Sequence, residues 1–220
     1  MRIDTVLFDL DGTLINTNEI IINSFKYVFE TYFPSNVLTR KEVLTFFGPT
    51  LKETFGKYTD SQKKVLEMEK MYLSHYKEIE SDMYELYPGV LEVLQNLKQT
   101  GYNLGIVTTK YRKSAMPSIV NFKLDEIFEV IVTLDDVNSP KPSCEPIEVA
   151  LRNFPGYKKV MIVGDNRNDI LAGKNASVYT AGVAWTIIGE KSLKELNPDF
   201  MLKNMHELVD ILNEFNQDDK

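Results

Sequence analysis

The feature that most constrains the fold of this chain is a regular alternation of short apolar segments with amphipathic segments after Tyr87-Pro88-Gly89. The apolar segments have the length and composition of buried strands, and the segments between them repeat apolar residues every three or four positions, as helices do. Strands that alternate with helices form parallel sheets. With one further apolar segment near the N-terminus, the predicted strands are residues 5–10, 103–108, 128–133, 159–163, 179–183 and 200–202. The sequence therefore predicts an α/β fold with a doubly wound parallel sheet.

The segment from residue 18 to residue 83 differs from the rest, because it has a helical period and no recognisable strand. The first predicted strand precedes this segment and the other strands follow it, so the segment is predicted to be an all-helical insertion into the sheet domain. The predicted boundaries are 1–15 and 84–220 for the core and 16–83 for the insertion. The helical stripe at the start of the insertion consists of Ile21, Phe25, Val28 and Tyr32.

Composition narrows the classes of function. A formal net charge of −7 is unfavourable for nucleic-acid binding, which usually requires a basic surface. Asp4 and Asp9 interrupt the N-terminal segment, leaving no signal-peptide core, and no apolar stretch approaches the ~18 residues of a membrane span. The one cysteine, Cys144, excludes an internal disulfide and fits a reducing compartment. We therefore expect a cytoplasmic protein that binds neither nucleic acid nor membranes. Independently of composition, a monomer or a homodimer is expected.

Two aspartates, Asp9 and Asp11, lie two positions apart at the end of the first predicted strand, and Gly12 follows directly. An Asp-Gly pair between apolar segments often forms a hairpin turn. A hairpin would need a partner strand at residues 13–18, but a helical pattern begins there instead. The two carboxylates are therefore candidates for chemistry.

Polar residues also follow the later predicted strands. In a parallel α/β sheet, ligands bind beyond the carboxyl ends of the strands. Each residue has an ordinary explanation when taken alone: Asp165 could cap a helix, and Lys141 could be a solvated loop residue. Their order along the chain indicates a common site. The residues expected at this edge are Asp9, Asp11, Thr108, Thr109, Lys110, Lys141, Asp165 and Asp169.

This set of side chains suits phosphoryl transfer. An aspartate can attack phosphorus and form an acyl phosphate, and a second carboxyl can protonate the leaving oxygen and later deprotonate water. Mg²⁺ prefers hard oxygen ligands, which Asp9 and Asp165 could supply. Lys141 and a threonine hydroxyl could stabilise the transferring oxygens, and Gly12 would let the backbone approach the phosphate closely. Neither a P-loop nor a dinucleotide-binding fingerprint occurs in the sequence.

These motifs, in this order, resemble those of the haloacid-dehalogenase superfamily over nearly the whole chain. The resemblance implies a Rossmann-like core with a helical cap that covers the site, here residues 16–83. It implies that Asp9 is the nucleophile and a magnesium ligand. It also implies that Asp11 is the general acid and base, and that its backbone carbonyl binds the metal.

The same resemblance assigns roles to the later motifs. Thr108 and Lys141 are expected to bind the phosphoryl group, and Asp165 is expected to bind the metal. Asp169 is expected to contact the residues that bind the metal without binding the metal itself. The third motif departs from the common pattern, because Ser143-Cys144 stands where many relatives have Asp-Pro. This departure concerns the shape of the loop and leaves the lysine in place.

The residue at position 11 narrows the expected reaction, because aspartate there is typical of phosphatases and phosphomutases. The stretches DGTLINTNEIII, FFGPTLKETF, GDNRNDILAGKNA and AGVAWTIIG resemble bacterial pyrophosphatases of the superfamily. A phosphoglycolate or other small phosphomonoester phosphatase is the first alternative. A sugar phosphomutase is the second, although Ile21 and Gly164 replace the histidine and the acid common in those enzymes. A receiver-like phospho-switch is a non-enzymatic alternative, but such domains lack an inserted helical block.

The sequence also offers candidates for substrate specificity. Pyrophosphate is compact and strongly anionic, so a pyrophosphatase needs cations around the leaving phosphate as well as the transferring one. Lys110 is the best candidate, because its neighbours are already placed at a strand end. Arg167, within GDNRND, and Lys52, beside the break at Gly48-Pro49, are the other two.

Overall fold

The computed structural model describes residues 2–80 and 84–217. The chain divides into two compact units, Met1–Asn16 with Leu86–Lys220 and, separately, Thr17–Glu85. Residues 81–83, where the predicted insertion ends, lie outside the described part of the chain. Within residues 2–80 and 84–217, none of the helices combines the length and the apolar character that crossing a membrane would demand.

The first unit is built on a parallel sheet, which confirms the predicted fold class. The order across this sheet is β5-β4-β1-β6-β7-β8. Residues Val6, Leu7 and Phe8 of β1 are fully buried, as expected for a strand covered on both faces. The strands are β1 (Ile3–Phe8), β2 (Ile15–Asn16), β3 (Glu85–Leu86), β4 (Asn103–Val107), β5 (Val130–Val132), β6 (Lys159–Gly164), β7 (Tyr179–Val183) and β8 (Phe200–Leu202).

Helices connect these strands and form the second unit. In chain order they are α1 (Asn18–Tyr32), α2 (Arg40–Leu44), α3 (Leu51–Gly56), α4 (Gln62–Ile79), α5 (Val90–Gln99), α6 (Arg112–Asn121), α7 (Glu145–Leu151), α8 (Arg167–Asn175), α9 (Glu190–Lys194) and α10 (Glu207–Gln217).

The register of the central strands determines which residues meet at the carboxyl edge of the sheet. Phe8, the last residue of β1, pairs with Ile106 of β4 and with Val163 of β6. The residues that directly follow these strands therefore emerge side by side. The backbone N–H of Asp9 still donates to the Val163 carbonyl at 2.9 Å, which ties this residue to the sheet.

The turn after β1 differs in detail from the sequence-based expectation. β1 ends at Phe8, two residues before the predicted end, and the backbone N–H groups of Leu14 and Ile15 both donate to the Leu10 carbonyl at 3.0 Å. The two-residue strand β2 follows this tight turn and pairs with β3, so no hairpin with β1 forms. The sequence prediction missed β2 and β3 because two residues are too few to show a period.

The second unit has its own aromatic core. Phe25 of α1 lies 4.8 Å from Phe46 and 4.7 Å from Tyr72 of α4, measured between ring centroids. Phe55 of α3 is fully buried in the same cluster. α3 begins after the break at Gly48-Pro49 because Thr50 and Glu53 form a reciprocal capping box.

Candidate active site

Lys141 is a deeply buried cation at the carboxyl edge of the sheet, with a side chain 1% exposed. Its ammonium lies 2.7 Å from Asp9 Oδ1, 2.5 Å from Asp169 Oδ1 and 2.7 Å from the Val107 carbonyl oxygen. All three N–H groups therefore have an acceptor. Burial opposes the charged form, but Asp169 and Asp9 outweigh it and raise the pKa of Lys141. This lysine is a fixed positive charge at neutral pH.

The loop that carries Lys141 has a defined shape despite the unusual Ser143-Cys144 pair. The Glu145 carboxylate accepts hydrogen bonds from the backbone N–H groups of Asn138 at 2.9 Å and Ser139 at 2.8 Å. On the other side, the Asn175 side chain donates to the Pro142 carbonyl at 2.8 Å. The loop is thus held from both ends, and this arrangement does not require the proline that many relatives have at position 144.

Asp9 directly follows β1 and is 4% exposed. Burial is the largest influence on its carboxyl group and raises the pKa of Asp9 to about 7, with Asp169 and Asp11 adding to the effect and Lys141 opposing it. Lys141 occupies Oδ1, whereas Oδ2 accepts no hydrogen bond from the described residues. Asp9 therefore has one oxygen positioned by the protein and one available to a ligand.

Asp165 and Asp169 come from the junction between β6 and α8. Asn166 caps α8, and its backbone N–H donates to Asp169 Oδ2 at 3.1 Å. The Asn166 side chain donates to Asp165 Oδ1 at 3.1 Å, and the Thr186 hydroxyl donates to the Asp165 carbonyl at 2.6 Å. Burial, followed by the charges of Asp169 and Asp9, raises the pKa of Asp165 well above its ordinary value.

Three carboxylates here could hold a metal ion: oxygens of Asp9, Asp165 and Asp169 all lie within 4.8 Å of one another. Their hydrogen bonds distinguish their roles. Both oxygens of Asp169 are engaged, one by Lys141 and the other by the Asn166 backbone. Oδ2 of Asp9 and Oδ2 of Asp165 accept no hydrogen bond within residues 2–80 and 84–217, so these two residues are better suited to bind a cation. Hard carboxylate oxygens in this number fit a divalent metal ion.

Asp11 and Lys110 form a second ion pair at the same edge. The Lys110 ammonium lies 3.1 Å from Asp11 Oδ1, and the two side chains are 10% and 18% exposed. Gly12 follows Asp11 with a φ of +83°, and a Cβ there would collide with the Asp165 carboxylate. Both observations explain why glycine stands at this position.

The threonines after β4 are placed by the backbone. The N–H of Thr108 donates to the Val132 carbonyl at 2.9 Å, and its hydroxyl accepts the Lys110 N–H at 3.2 Å. Thr108 is 5% exposed, and Thr109 is partly exposed next to it.

The other two specificity candidates, Arg167 and Lys52, are exposed. Arg167 is the exposed first residue of α8, two positions beyond Asp165. Lys52 is exposed on α3 of the Thr17–Glu85 unit. The role of each in binding substrate stays a prediction.

Sequence reasoning missed several residues that hold the site in place. Thr186 and Asn166 contact Asp165 directly, but a threonine after a strand and an asparagine before a helix are common in any α/β protein. The only sequence feature that could have identified Asn166 as part of the site is its position between two motif aspartates. Arg112 and Asp136, which join the loops after β4 and β5, also went unrecognised.

Comparisons with known proteins concern the family and the fold of the chain. Residues 6–183 match the family model described as haloacid dehalogenase-like hydrolase. The chain is 45% identical over 218 residues to pyrophosphatase PpaX from Bacillus thuringiensis, covering 99% of this chain and 100% of the relative. A haloacid dehalogenase-like family hydrolase from Streptococcus pneumoniae superposes with a TM-score of 0.80 at 26% identity, covering 95% of this chain and 98% of the other. A predicted phosphoglycolate phosphatase from Haemophilus somnus has a TM-score of 0.84 at 23% identity, covering 96% and 98%, and shares the fold.

Proposed function

Because this chain belongs to the haloacid dehalogenase-like hydrolases and is a phosphatase of that family, we propose that it is a magnesium-dependent pyrophosphatase that works through an aspartyl-phosphate. The observation that carries the proposal is the arrangement of Asp9. Its Oδ1 is held by the buried Lys141, and its Oδ2 accepts no hydrogen bond from the described residues. A carboxylate that the protein holds through one oxygen, while the other oxygen is unoccupied, is suited to attack phosphorus.

The metal site of the proposal uses Asp9 and Asp165, with the backbone carbonyl of Asp11 as a third ligand expected from the family resemblance. When bound, Mg²⁺ would neutralise the carboxylates and the phosphate oxygens, which otherwise repel one another. Asp169 and Asn166 hold the surrounding groups in position through their hydrogen bonds.

In the proposed reaction, a residue of this chain carries out each step. An Asp9 oxygen forms a bond to one phosphorus, while the bridging P–O bond breaks and its electron pair leaves with the other phosphate. Asp11 gives that phosphate a proton and then takes one from the water that hydrolyses the acyl phosphate. Lys141 and Thr108 stabilise the charge on the transferred group. The products are two phosphates and the original enzyme.

We assign pyrophosphate as the substrate because the similarity to pyrophosphatase PpaX extends over 99% of this chain. Phosphoglycolate, or another small phosphomonoester, is the alternative that the shared motifs leave open. A sugar phosphomutase is disfavoured by the same relative, and a receiver-like switch is wrong because the chain is an enzyme of a hydrolase family. The proposal also includes a cytoplasmic location and a cap role for the Thr17–Glu85 unit.

The test compares kcat/KM for pyrophosphate and phosphoglycolate on the unmodified protein with Mg²⁺, and after its removal with a chelator. We expect pyrophosphate to be preferred and both activities to disappear with the metal. Asp9→Asn should abolish turnover while the fold persists. A tenfold preference for phosphoglycolate would refute the pyrophosphatase assignment, and an active Asp9→Asn variant would refute the covalent mechanism.

A further inference from the structure

The two lysines at the carboxyl edge of the sheet are held very differently. Lys141 is 1% exposed and its ammonium has three acceptors, two of which are carboxylates. The Lys110 side chain is 10% exposed and lies beside Asp11, whose side chain is 18% exposed. Lys141 thus belongs to the permanent structure of the site, whereas the Lys110–Asp11 pair lies where a ligand can reach it.

The backbone of Lys110 is fixed, whereas its side chain is partly exposed. Its N–H donates to the Thr108 hydroxyl at 3.2 Å, and its carbonyl accepts the Leu134 N–H at 3.1 Å. The ammonium sits at the end of a flexible four-carbon stem. It can therefore exchange one oxygen ligand for another nearby without moving the turn that carries Thr108.

The position of Asp11 determines which oxygens come near Lys110. Asp11 lies two residues from the nucleophile Asp9, and under the proposed function it protonates the leaving group. A leaving group that reaches Asp11 must also come close to the Lys110 ammonium, 3.1 Å from the Asp11 carboxylate. A leaving phosphate would offer that ammonium new anionic oxygens, whereas an alcohol would offer none.

We propose that Lys110 is a specificity-determining residue that selects substrates whose leaving group is itself a phosphate. In the resting enzyme it is paired with Asp11, and in the reaction it transfers its contact to the leaving phosphate. Negative charge grows on that phosphate as the bridging P–O bond breaks, so the new contact is strongest in the transition state. This inference rests on the proposed function and extends it from the transferred phosphate to the departing one.

The experiment measures kcat/KM of Lys110→Met and Lys110→Arg on three substrates: pyrophosphate, p-nitrophenyl phosphate and glycerol 2-phosphate. Loss of a charge-assisted hydrogen bond should lower kcat/KM for pyrophosphate by about ten- to a hundredfold in Lys110→Met. The other two substrates should change by less than about threefold, because their leaving groups carry no phosphate. Lys110→Arg, which keeps the charge, should recover part of the pyrophosphate activity.

The matched control is Lys194→Met, which removes a lysine from an exposed pair with Glu190 on α9. It should leave all three activities unchanged. Retained activity on p-nitrophenyl phosphate shows in the same assay that Lys110→Met is folded.

Three results would overturn the inference. An equal loss on pyrophosphate and glycerol 2-phosphate would mean that Lys110 only positions Asp11, and an unchanged pyrophosphate activity would mean that it has no role in selection. A loss on all three substrates, with lowered thermal stability, would mean a structural role. The unmodified protein tests the proposed function separately, because failure to hydrolyse pyrophosphate there would refute both proposals. If the ratio of kcat/KM for pyrophosphate to kcat/KM for glycerol 2-phosphate is the same in the variants as in the unmodified protein, only the inference about Lys110 is refuted.

Discussion

At the scale of single residues, the site is short of positive charge. Among the described residues of the site, three buried carboxylates, Asp9, Asp165 and Asp169, surround one buried ammonium, that of Lys141. Burial of unpaired carboxylates is costly, and proteins avoid that cost by taking up a proton or a cation. Burial is the largest cause of the raised pKa values of Asp9 and Asp165, and the neighbouring carboxylates add to it. A divalent cation would supply the missing charge.

This shortage predicts that Mg²⁺ stabilises the protein more at high pH than at low pH. The pKa of Asp9 is about 7 in the folded protein and 3.8 in the reference state, so its contribution to stability is complete below about pH 4 and is lost as the pH rises to about 7. Lys141 stays protonated over this pH range, so it does not contribute to the dependence of stability on pH. A cation needs the deprotonated carboxylates and meets less competition from protons as the pH rises. The increase in Tm caused by Mg²⁺ should therefore be larger at about pH 8 than at about pH 5.5.

Asp165→Asn is the control for this measurement, since it removes one of the two carboxylates that have an available oxygen. It should reduce the Mg²⁺-dependent increase in Tm at high pH. An equal increase at both pH values, or an undiminished increase in Asp165→Asn, would contradict a metal site at these residues.

The motif residues could be predicted from the sequence, but the contacts that position them could not. Asp9 and Lys141 were expected at one edge because each follows a strand of a parallel sheet, and that reasoning requires only the order of elements. The 2.6 Å bond from Thr186 to the Asp165 backbone depends on how the chain after β7 folds back across 21 positions. No local pattern encodes such a distance.

At the scale of elements, the loops after β4 and β5 are joined by one polar network. The Arg112 guanidinium donates to the Ile131 carbonyl at 2.9 Å and to Asp136 Oδ2 at 2.6 Å. The same Asp136 oxygen accepts the N–H and hydroxyl of Thr133 at 2.8 and 2.7 Å. Partial burial opposes the charged form of Asp136, but these hydrogen bonds outweigh it and lower the pKa of Asp136. The bond from the Thr133 hydroxyl has the largest lowering effect. The loop with Thr108 and Lys110 is thereby held against its neighbour.

Arg112→Gln should loosen this junction and lower kcat/KM by about three- to tenfold on every substrate, because the threonine and lysine after β4 lose their fixed position. The side chain of Arg112 is 43% exposed, so solvent screening limits its contribution to stability to roughly 1 kcal/mol. Kinetic assays and thermal unfolding measure the two effects.

Arg152→Gln is the comparison, as this arginine is exposed at the end of α7. Its kinetics and Tm should match those of the unmodified protein. If Arg112→Gln also matches, the network does not position the loop. A loss confined to pyrophosphate would instead place Arg112 with Lys110 in substrate selection.

The bounds of some strands could be predicted from the sequence, whereas those of others could not. β7 and β8 have the predicted bounds, 179–183 and 200–202, and β8 is an apolar segment between Asp199 and Lys203. β5 is only three residues long, Val130–Val132, although residues 128–133 are apolar enough for a longer strand. The N–H of Glu129 donates to the Leu104 carbonyl, so this part of the segment still follows the sheet without strand geometry.

At the scale of the whole molecule, each unit has a core of its own. One core surrounds the sheet and includes Leu7, Val107 and Ile162. The core of the Thr17–Glu85 unit is largely aromatic and includes Phe25, Phe29, Phe46, Phe55 and Tyr72. Separate cores allow regions of one chain to open with different free energies. A defect in one core should therefore be detectable as a local loss of stability.

Phe55→Ala tests this separation in the second unit. Phe55 is fully buried, and its ring lies 5.7 Å from that of Phe25 and 6.4 Å from those of Phe29 and Tyr72. Removing a buried phenylalanine side chain typically costs about 3–5 kcal/mol, because apolar burial is lost and a cavity remains. Hydrogen exchange should show weaker protection of the backbone amides in α1, α3 and α4, with β1, β4 and β6 nearly unchanged.

The matched control for Phe55→Ala is Leu66→Ala, because Leu66 is on α4 of the same unit and is 54% exposed. Truncating an exposed side chain usually changes stability by about 0.5 kcal/mol or less, so protection should stay as in the unmodified protein. Equal losses of protection in α4 and in β1 after Phe55→Ala would mean that the two cores unfold as one cooperative unit. Unequal losses would mean that the helical unit can open while the sheet, with Asp9 and Lys141 at its edge, stays folded.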